Sequence, residues 1–194
     1  MSFKRVVRLV LLLSALSPAA ARADGLLIPF AGVNFGGDSG KEIQDAFDAR
    51  RLNYGVSLAY MGGGVFGFEG DFAYSPDFFG KNDIGGSSVT TLTGNLLLGV
   101  PLGGQHGFGI RPYGVIGAGL IRPSVKTFGN FLDFDENKAA WDFGGGIMLF
   151  LGTHVGLRAD VRYFRTFDRL NFTDLDTFDA LDFGRASAGL IIRF

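Results

Sequence analysis

Apolar and polar side chains alternate along most of the chain with a period of two residues. In the segment 66–74, FGFEGDFAY, aromatic residues and Gly occupy every second position, whereas Glu69 and Asp71 lie between them. This alternation predicts a β-strand whose two faces have different surroundings. The question that the pattern raises is which face points to lipid, solvent or a core.

Seven further segments share this pattern, which makes eight predicted strands. Most are 10 to 14 residues long, whereas a strand in a globular protein has about 5–6 residues. A tilted strand that crosses a bilayer needs about 9–11 residues. The predicted strands are 26–36, 52–61, 65–75, 88–100, 108–121, 139–151, 155–166 and 183–194.

The connections between these strands alternate between short and long. Three short connections, 61–64, 101–107 and 152–154, alternate with longer, charged ones at 37–51, 76–87, 122–138 and 167–182. Short turns on one side and long loops on the other are typical of outer-membrane barrels. We therefore predict an all-β fold: an eight-stranded antiparallel transmembrane up-and-down β-barrel with short periplasmic turns and long extracellular loops.

The first long loop contains a possible helix start. Ser39 and Glu42 have the spacing of a capping box, in which each side chain binds the other residue's backbone N–H. A short helix at about 40–50 is one prediction, and a solvated loop is the alternative.

The two faces of each predicted strand differ in bulk. One face carries large apolar side chains, and the other carries small, polar or charged ones. A closed barrel with the small and polar face inward would fill a narrow lumen and leave no unpaired backbone in lipid. A soluble lipocalin-like binding barrel, with the bulky face inside, is the alternative.

Several charged side chains fall on the predicted inner faces. Buried charges are tolerated only when they are paired and hydrogen-bonded, so we predict a network of ion pairs in the lumen. Such a filled lumen predicts little or no conductance, and a narrow channel or transporter for small solutes is the alternative. The predicted network comprises Glu69, Asp71, Arg111, Asp142, Arg158, Asp160, Arg162, Arg185 and Arg193.

The N-terminus has the pattern of a secretory signal peptide. Three basic residues precede the apolar run 9–16, and Ala21 and Ala23 form a small-x-small cleavage site. We predict a signal peptide at 1–23 and a barrel domain at 24–194.

Removal of the signal peptide would leave 14 basic and 19 acidic side chains. This acidic balance argues against a nucleic-acid partner, and the lack of Cys means that no disulfide can stabilise the exported chain.

The sequence predicts no enzyme and no cofactor. The two histidines, His106 and His154, fall in predicted periplasmic turns. They would therefore lie at the opposite end of the barrel from any substrate in the outer leaflet, where neither could act as a catalytic base. The glycines of the predicted strands do not stand between a strand and a helix, as a phosphate-binding loop requires. The acidic segment 167–182 could bind Ca²⁺ or Mg²⁺, although its spacing is not that of an EF-hand, and a solvated acidic surface is the alternative.

Three segments resemble the small outer-membrane β-barrel family. They are RPYGVIGAGL (111–120), VGLRADVRYF (155–164) and AGLIIRF (188–194), and the family includes the outer membrane protein A membrane domain, OmpX-like proteins and opacity-type surface antigens. The resemblance implies that Leu190, Ile192 and Phe194 form the signal read by the barrel assembly machinery.

The resemblance also implies a location and a role. The location is the outer membrane of a Gram-negative-type cell, and the role is structural or surface-interacting and non-catalytic. Membrane integrity and loop-mediated adhesion are examples. The expected partners are outer-membrane lipid, lipopolysaccharide and an extracellular ligand of the loops.

Overall fold

Eight long antiparallel strands dominate the computed structural model of the chain, each 11 to 17 residues long. The structure describes residues 23–36, 52–62, 65–76, 78, 87–103, 107–125, 134–135, 137–167, 170–173, 176–178 and 180–194. The long strands are β1 (Ala23–Phe35), β2 (Leu52–Gly62), β3 (Phe66–Pro76), β4 (Ser87–Gly99), β5 (Gly109–Val125), β6 (Lys138–Phe150), β7 (Val155–Thr166) and β8 (Asp182–Arg193).

The sheet closes on itself. Each strand pairs antiparallel with its neighbours in sequence, and β1 also pairs with β8. At this junction the N–H of Gly25 donates to the Phe194 carbonyl at 3.0 Å, and the N–H of Phe194 donates to the Gly25 carbonyl at 2.9 Å. The predicted eight-stranded antiparallel barrel is confirmed.

The two faces of the strands lie as the alternation predicts. On β3, Phe66 and Phe68 are 66% and 67% exposed, whereas Glu69 and Asp71 are 4% and 1% exposed. Bulky apolar side chains therefore form the outer wall, and the charged ones point into the lumen. No helix among the described residues is long and apolar enough to cross a membrane.

The lumen is filled in three layers. We call the end with the short turns, Ala23 and Phe194 the turn end, and the opposite end the loop end. Apolar clusters lie toward each end, with charged side chains between them. The turn-end plug is Leu26, Ile28, Ala59, Met61, Leu97, Tyr113, Val115, Met148, Phe150 and Ile191, and the loop-end plug is Phe78, Val89, Ile121, Ala140, Phe164, Leu181 and Phe183.

These plugs differ from the expected lumen of small, polar or charged residues. The lumen of an eight-stranded barrel is wide enough for side chains to fill but too narrow for a water column. Large apolar residues that point inward therefore stabilise the barrel by packing against each other. Alternation assigns a residue to a face but does not show that several large inward residues meet.

Strand structure also extends into the predicted connections, including a short strand at Leu102–Gly103 in the predicted turn 101–107. β5 continues to Val125 because its last residues pair with β4 as far as Ser87, although Pro123 and nearby charges favour a loop in the sequence. Short strands also lie within two predicted long loops. They are Phe134–Asp135 in 122–138, and Leu170–Thr173 and Asp176–Phe178 in 167–182. The helix predicted at 40–50 and His106 lie outside the described residues.

Candidate functional site: the lumenal charge belt

A layer of seven charged side chains crosses the lumen between the two plugs, and we call it the charge belt. Alternation places its members on inward positions of four strands, and each is at least 94% buried. The belt consists of Glu69 and Asp71 on β3, Asp142 on β6, Arg158, Asp160 and Arg162 on β7, and Arg185 on β8.

Two arginines of β7 hold the centre of the belt. Arg162 Nη2 lies 2.7 Å from Glu69 Oε1 and 3.2 Å from Asp160 Oδ2. Arg158 forms an ion pair with Glu69, and its Nη2 lies 2.9 Å from Asp160 Oδ2. Arg158 and Glu69 are 89 positions apart in the chain, so their contact joins opposite parts of the barrel wall.

Asp71 and Arg185 form a second centre. Arg185 Nη2 donates to Asp71 Oδ1 at 2.8 Å, and Ser57 Oγ donates to Asp71 Oδ2 at 2.8 Å. The Arg185 guanidinium also lies over the rings of Phe30 and Phe164, at 5.0 and 4.7 Å from their centroids. A buried guanidinium so placed gains a cation–π contact in addition to its ion pair.

Uncharged lumenal side chains complete several of these contacts. Asn95 Nδ2 donates to Glu69 Oε1 at 3.0 Å, Tyr113 OH donates to Asp160 Oδ2 at 2.8 Å, and Ser187 Oγ donates to Asp160 Oδ1 at 2.7 Å. The sequence reasoning placed these residues on inner faces but did not assign them to the network. A search for polar neutral residues on inward positions could have found them.

Arg111 and Arg193 do not join the belt, contrary to the expectation for the network. Arg193 pairs with Asp24 at the turn end, and Asp24 was not part of the predicted network. The Nη1 of Arg111 lies 3.8 Å from Met61 Sδ, and its guanidinium lies over the Phe150 ring. The stagger of strands in a tilted barrel places these residues beyond the turn-end plug.

Asp142 belongs to the belt but has weaker contacts than the other carboxylates. Its Oδ2 lies 3.8 Å from Arg162 Nη1, and neither carboxylate oxygen has a hydrogen bond to a described residue. Among the described residues, no group of three or more His, Cys, Asp or Glu is placed to hold a metal ion. His154 is exposed in the turn after β6, next to Thr153 Oγ1 at 2.7 Å.

The residues that the resemblance assigned to barrel assembly lie on the outer wall of β8. Leu190, Ile192 and Phe194 are all exposed, and the Phe194 ring covers Gly25 at the junction with β1. Ala23 begins β1, opposite Gly62, and Ala21 lies outside the described residues.

Outward aromatic rings cluster near the loop end. The Trp141 and Phe143 rings stack with centroids 5.5 Å apart, and Tyr163 lies 5.6 Å from Phe143. Tyr54 and Tyr74 form a second pair at 5.7 Å. Aromatic residues at this level are typical of the interface between bilayer and water in outer-membrane barrels.

Comparison with known proteins identifies the family of the chain and structures with the same fold. The family model of the outer membrane protein beta-barrel domain matches residues 8–194. The crystal structure of Neisserial surface protein A is 15% identical and superimposes with a TM-score of 0.62, covering 89% of this chain and 99% of that one. A search of the curated proteins gives no match.

A second solved structure has the same fold. It is Ail, the attachment invasion locus protein of Yersinia pestis, in complex with the heparin analogue sucrose octasulfate. It is 17% identical, with a TM-score of 0.53, and the match covers 89% of this chain and 98% of that one. At these identities both structures show a shared fold only. Because the family model covers nearly the whole sequence, the chain belongs to the outer membrane protein β-barrel domain family.

Proposed function

We propose that the chain is an integral outer-membrane protein with a structural or surface-interacting role and no catalytic activity. The observation that carries this proposal is the inverted distribution of side chains, in which bulky apolar residues form the outer wall and the seven charges of the belt lie in the lumen. A soluble barrel would expose that wall to water, whereas lipid solvates it at no cost.

The proposed orientation of the barrel follows from the short turns at one end and the long loops at the other. We place the turn end in the periplasm and the long loops outside the cell, with residues 1–23 removed as a signal peptide. Leu190, Ile192 and Phe194 would then be available at the periplasmic end for the assembly machinery. The barrel would hold the loops at the surface, where they would contact a partner or lipopolysaccharide.

The charge of the four predicted loops bears on the kind of partner. Segments 37–51, 76–87, 122–138 and 167–182 together carry 14 acidic and 8 basic side chains. Ail is solved with a heparin analogue, but an acidic surface repels such a polyanion. We therefore propose a basic partner, or lipopolysaccharide bridged by divalent cations, and binding of sucrose octasulfate to this chain would contradict that choice.

Electrophoresis of washed outer membranes tests the membrane location directly. We expect the protein in that fraction, and we expect unboiled protein in detergent to migrate differently from boiled protein, because a closed barrel stays folded until it is heated. Recovery in the soluble periplasmic fraction, with no change in mobility on heating, would contradict the proposed location and favour a soluble binding barrel.

A further inference from the structure

The charge belt contains one more carboxylate than guanidinium groups. Glu69, Asp71, Asp142 and Asp160 face three arginines. The other two lumenal arginines lie at the turn end with Asp24, on the far side of the turn-end plug. An uncompensated charge inside a low-dielectric barrel is costly, so the belt requires another positive charge.

The excess negative charge lies at Asp142. Each of the other three carboxylates has an ion pair or hydrogen bond at 3.0 Å or less. Asp142 is 0% exposed, and within the described part of the chain its two oxygens have no hydrogen-bond donor and its nearest guanidinium nitrogen is 3.8 Å away. The charged groups that act on it across the lumen are Glu69, Asp71, Arg162 and Arg185.

A second unpartnered oxygen lies beside this carboxylate. An ideal Cβ on Gly117 would lie 1.8 Å from Asn95 Oδ1 and 2.8 Å from Asp142 Oδ1, so the two oxygens lie on the same side of the glycine and no more than 4.6 Å apart. Asn95 is 95% buried, and its Oδ1 likewise has no donor among the residues that the structure describes.

The amide orientation of Asn95 is fixed by its other atom. Asn95 Nδ2 donates to Glu69 Oε1 at 3.0 Å. A flipped amide would place Oδ1 against the Glu69 carboxylate and lose this bond. Among the described residues, neither of these two neighbouring acceptors has a donor, and buried polar groups of this kind require an explanation such as a bound ion.

We propose that Asp142 and Asn95 bind one positive charge between Asp142 Oδ1 and Asn95 Oδ1. The ligand is a proton or a monovalent metal cation. Either one cancels the excess charge of the belt and satisfies both oxygens, whereas a divalent ion would reverse the imbalance. Gly117 is part of the site because any side chain there would collide with the Asn95 amide.

The substitution Asp142→Asn tests the proposal. Asparagine has the same shape, is neutral, and brings an N–H₂ group that can donate to Asn95 Oδ1. We expect the barrel refolded in lipid vesicles to unfold at the same or a higher urea concentration than the wild type. Asp160→Asn is the matched control, because Asp160 binds Arg158, Tyr113 and Ser187, and we expect its midpoint to fall.

If Asp142→Asn lowers the midpoint as much as Asp160→Asn does, Asp142 acts as an ordinary anion of the belt and the proposal is wrong. The same outcome leaves the outer-membrane role intact, because that role is tested by fractionation. The proposal and the proposed function can therefore fail separately.

Two further measurements distinguish the proton from the metal cation. A metal cation predicts that the wild-type midpoint differs between sodium, potassium and choline chloride at equal ionic strength, and that this difference disappears in Asp142→Asn. A proton predicts no such difference, together with an infrared C=O band of a protonated carboxyl group that Asp142→Asn removes. Absence of both effects would overturn the proposal.

Discussion

At the residue scale, Arg162 is the side chain on which most of the charge belt depends. It is 1% exposed, forms ion pairs with Glu69 and Asp160, and lies within 4 Å of Asp71 and Asp142. A guanidinium suits this place because its planar group presents five donors to several carboxylates at once. Removing one partner of a buried ion pair leaves the other charges uncompensated.

Arg162→Ala is therefore expected to destabilise the barrel by about 3–5 kcal/mol. The measurement is urea-induced unfolding in lipid vesicles, followed by the loss of the folded band in unboiled electrophoresis. Arg165→Ala is the control, since Arg165 lies on the same strand but points outward and is exposed. Equal small effects of the two substitutions would show that the belt does not stabilise the fold.

At the element scale, the junction of β1 and β8 closes the barrel, and it depends on small residues. An ideal Cβ on Gly32 would lie 2.1 Å from the Ala186 carbonyl oxygen of β8, whereas a Cβ on Gly70 of β3 meets nothing within 4 Å. Both glycines lie inside long strands, so their backbone entropy is similar and only the available space differs.

Gly32→Ala should thus weaken the barrel by about 1–3 kcal/mol, because β1 and β8 must move apart to admit the methyl group. Gly70→Ala, the matched control, is expected to be neutral or slightly stabilising. Urea midpoints of the two refolded variants compare them directly. A Gly32→Ala variant as stable as Gly70→Ala would mean that the junction tolerates the extra volume.

Much at this scale could be predicted from the sequence, because a period of two residues fixes both the strands and their faces. The end of β5 could not, since Pro123 and Arg122 are typical of a loop, and pairing with β4 on one side and with Phe134–Asp135 on the other keeps this segment extended. The ion pairs of the belt could not either. Alternation places Arg111 and Arg158 on inner faces, but strand stagger decides that Arg158 meets Glu69 whereas Arg111 lies near Met61.

At the scale of the whole molecule, the barrel combines a lipid-facing wall with a filled lumen. The turn-end plug, the charge belt and the loop-end plug follow one another along the axis. An ion that crossed this lumen would have to displace apolar packing at both ends and break ion pairs between them. We therefore expect this lumen to block solutes, in line with the proposed structural or surface-interacting role.

Conductance in a planar bilayer separates these two roles. We expect no unitary current steps from the wild-type barrel, because each layer of the lumen excludes hydrated ions. A variant in which Met61, Met148 and Phe150 are replaced by Ala shortens the turn-end plug, and the intact belt and loop-end plug should keep it closed as well. Steady wild-type steps whose size increases in this variant would show that ions pass through the lumen, and the chain would then be a narrow channel. If neither protein gives current steps, the loops and the outer wall remain the surfaces through which the molecule acts.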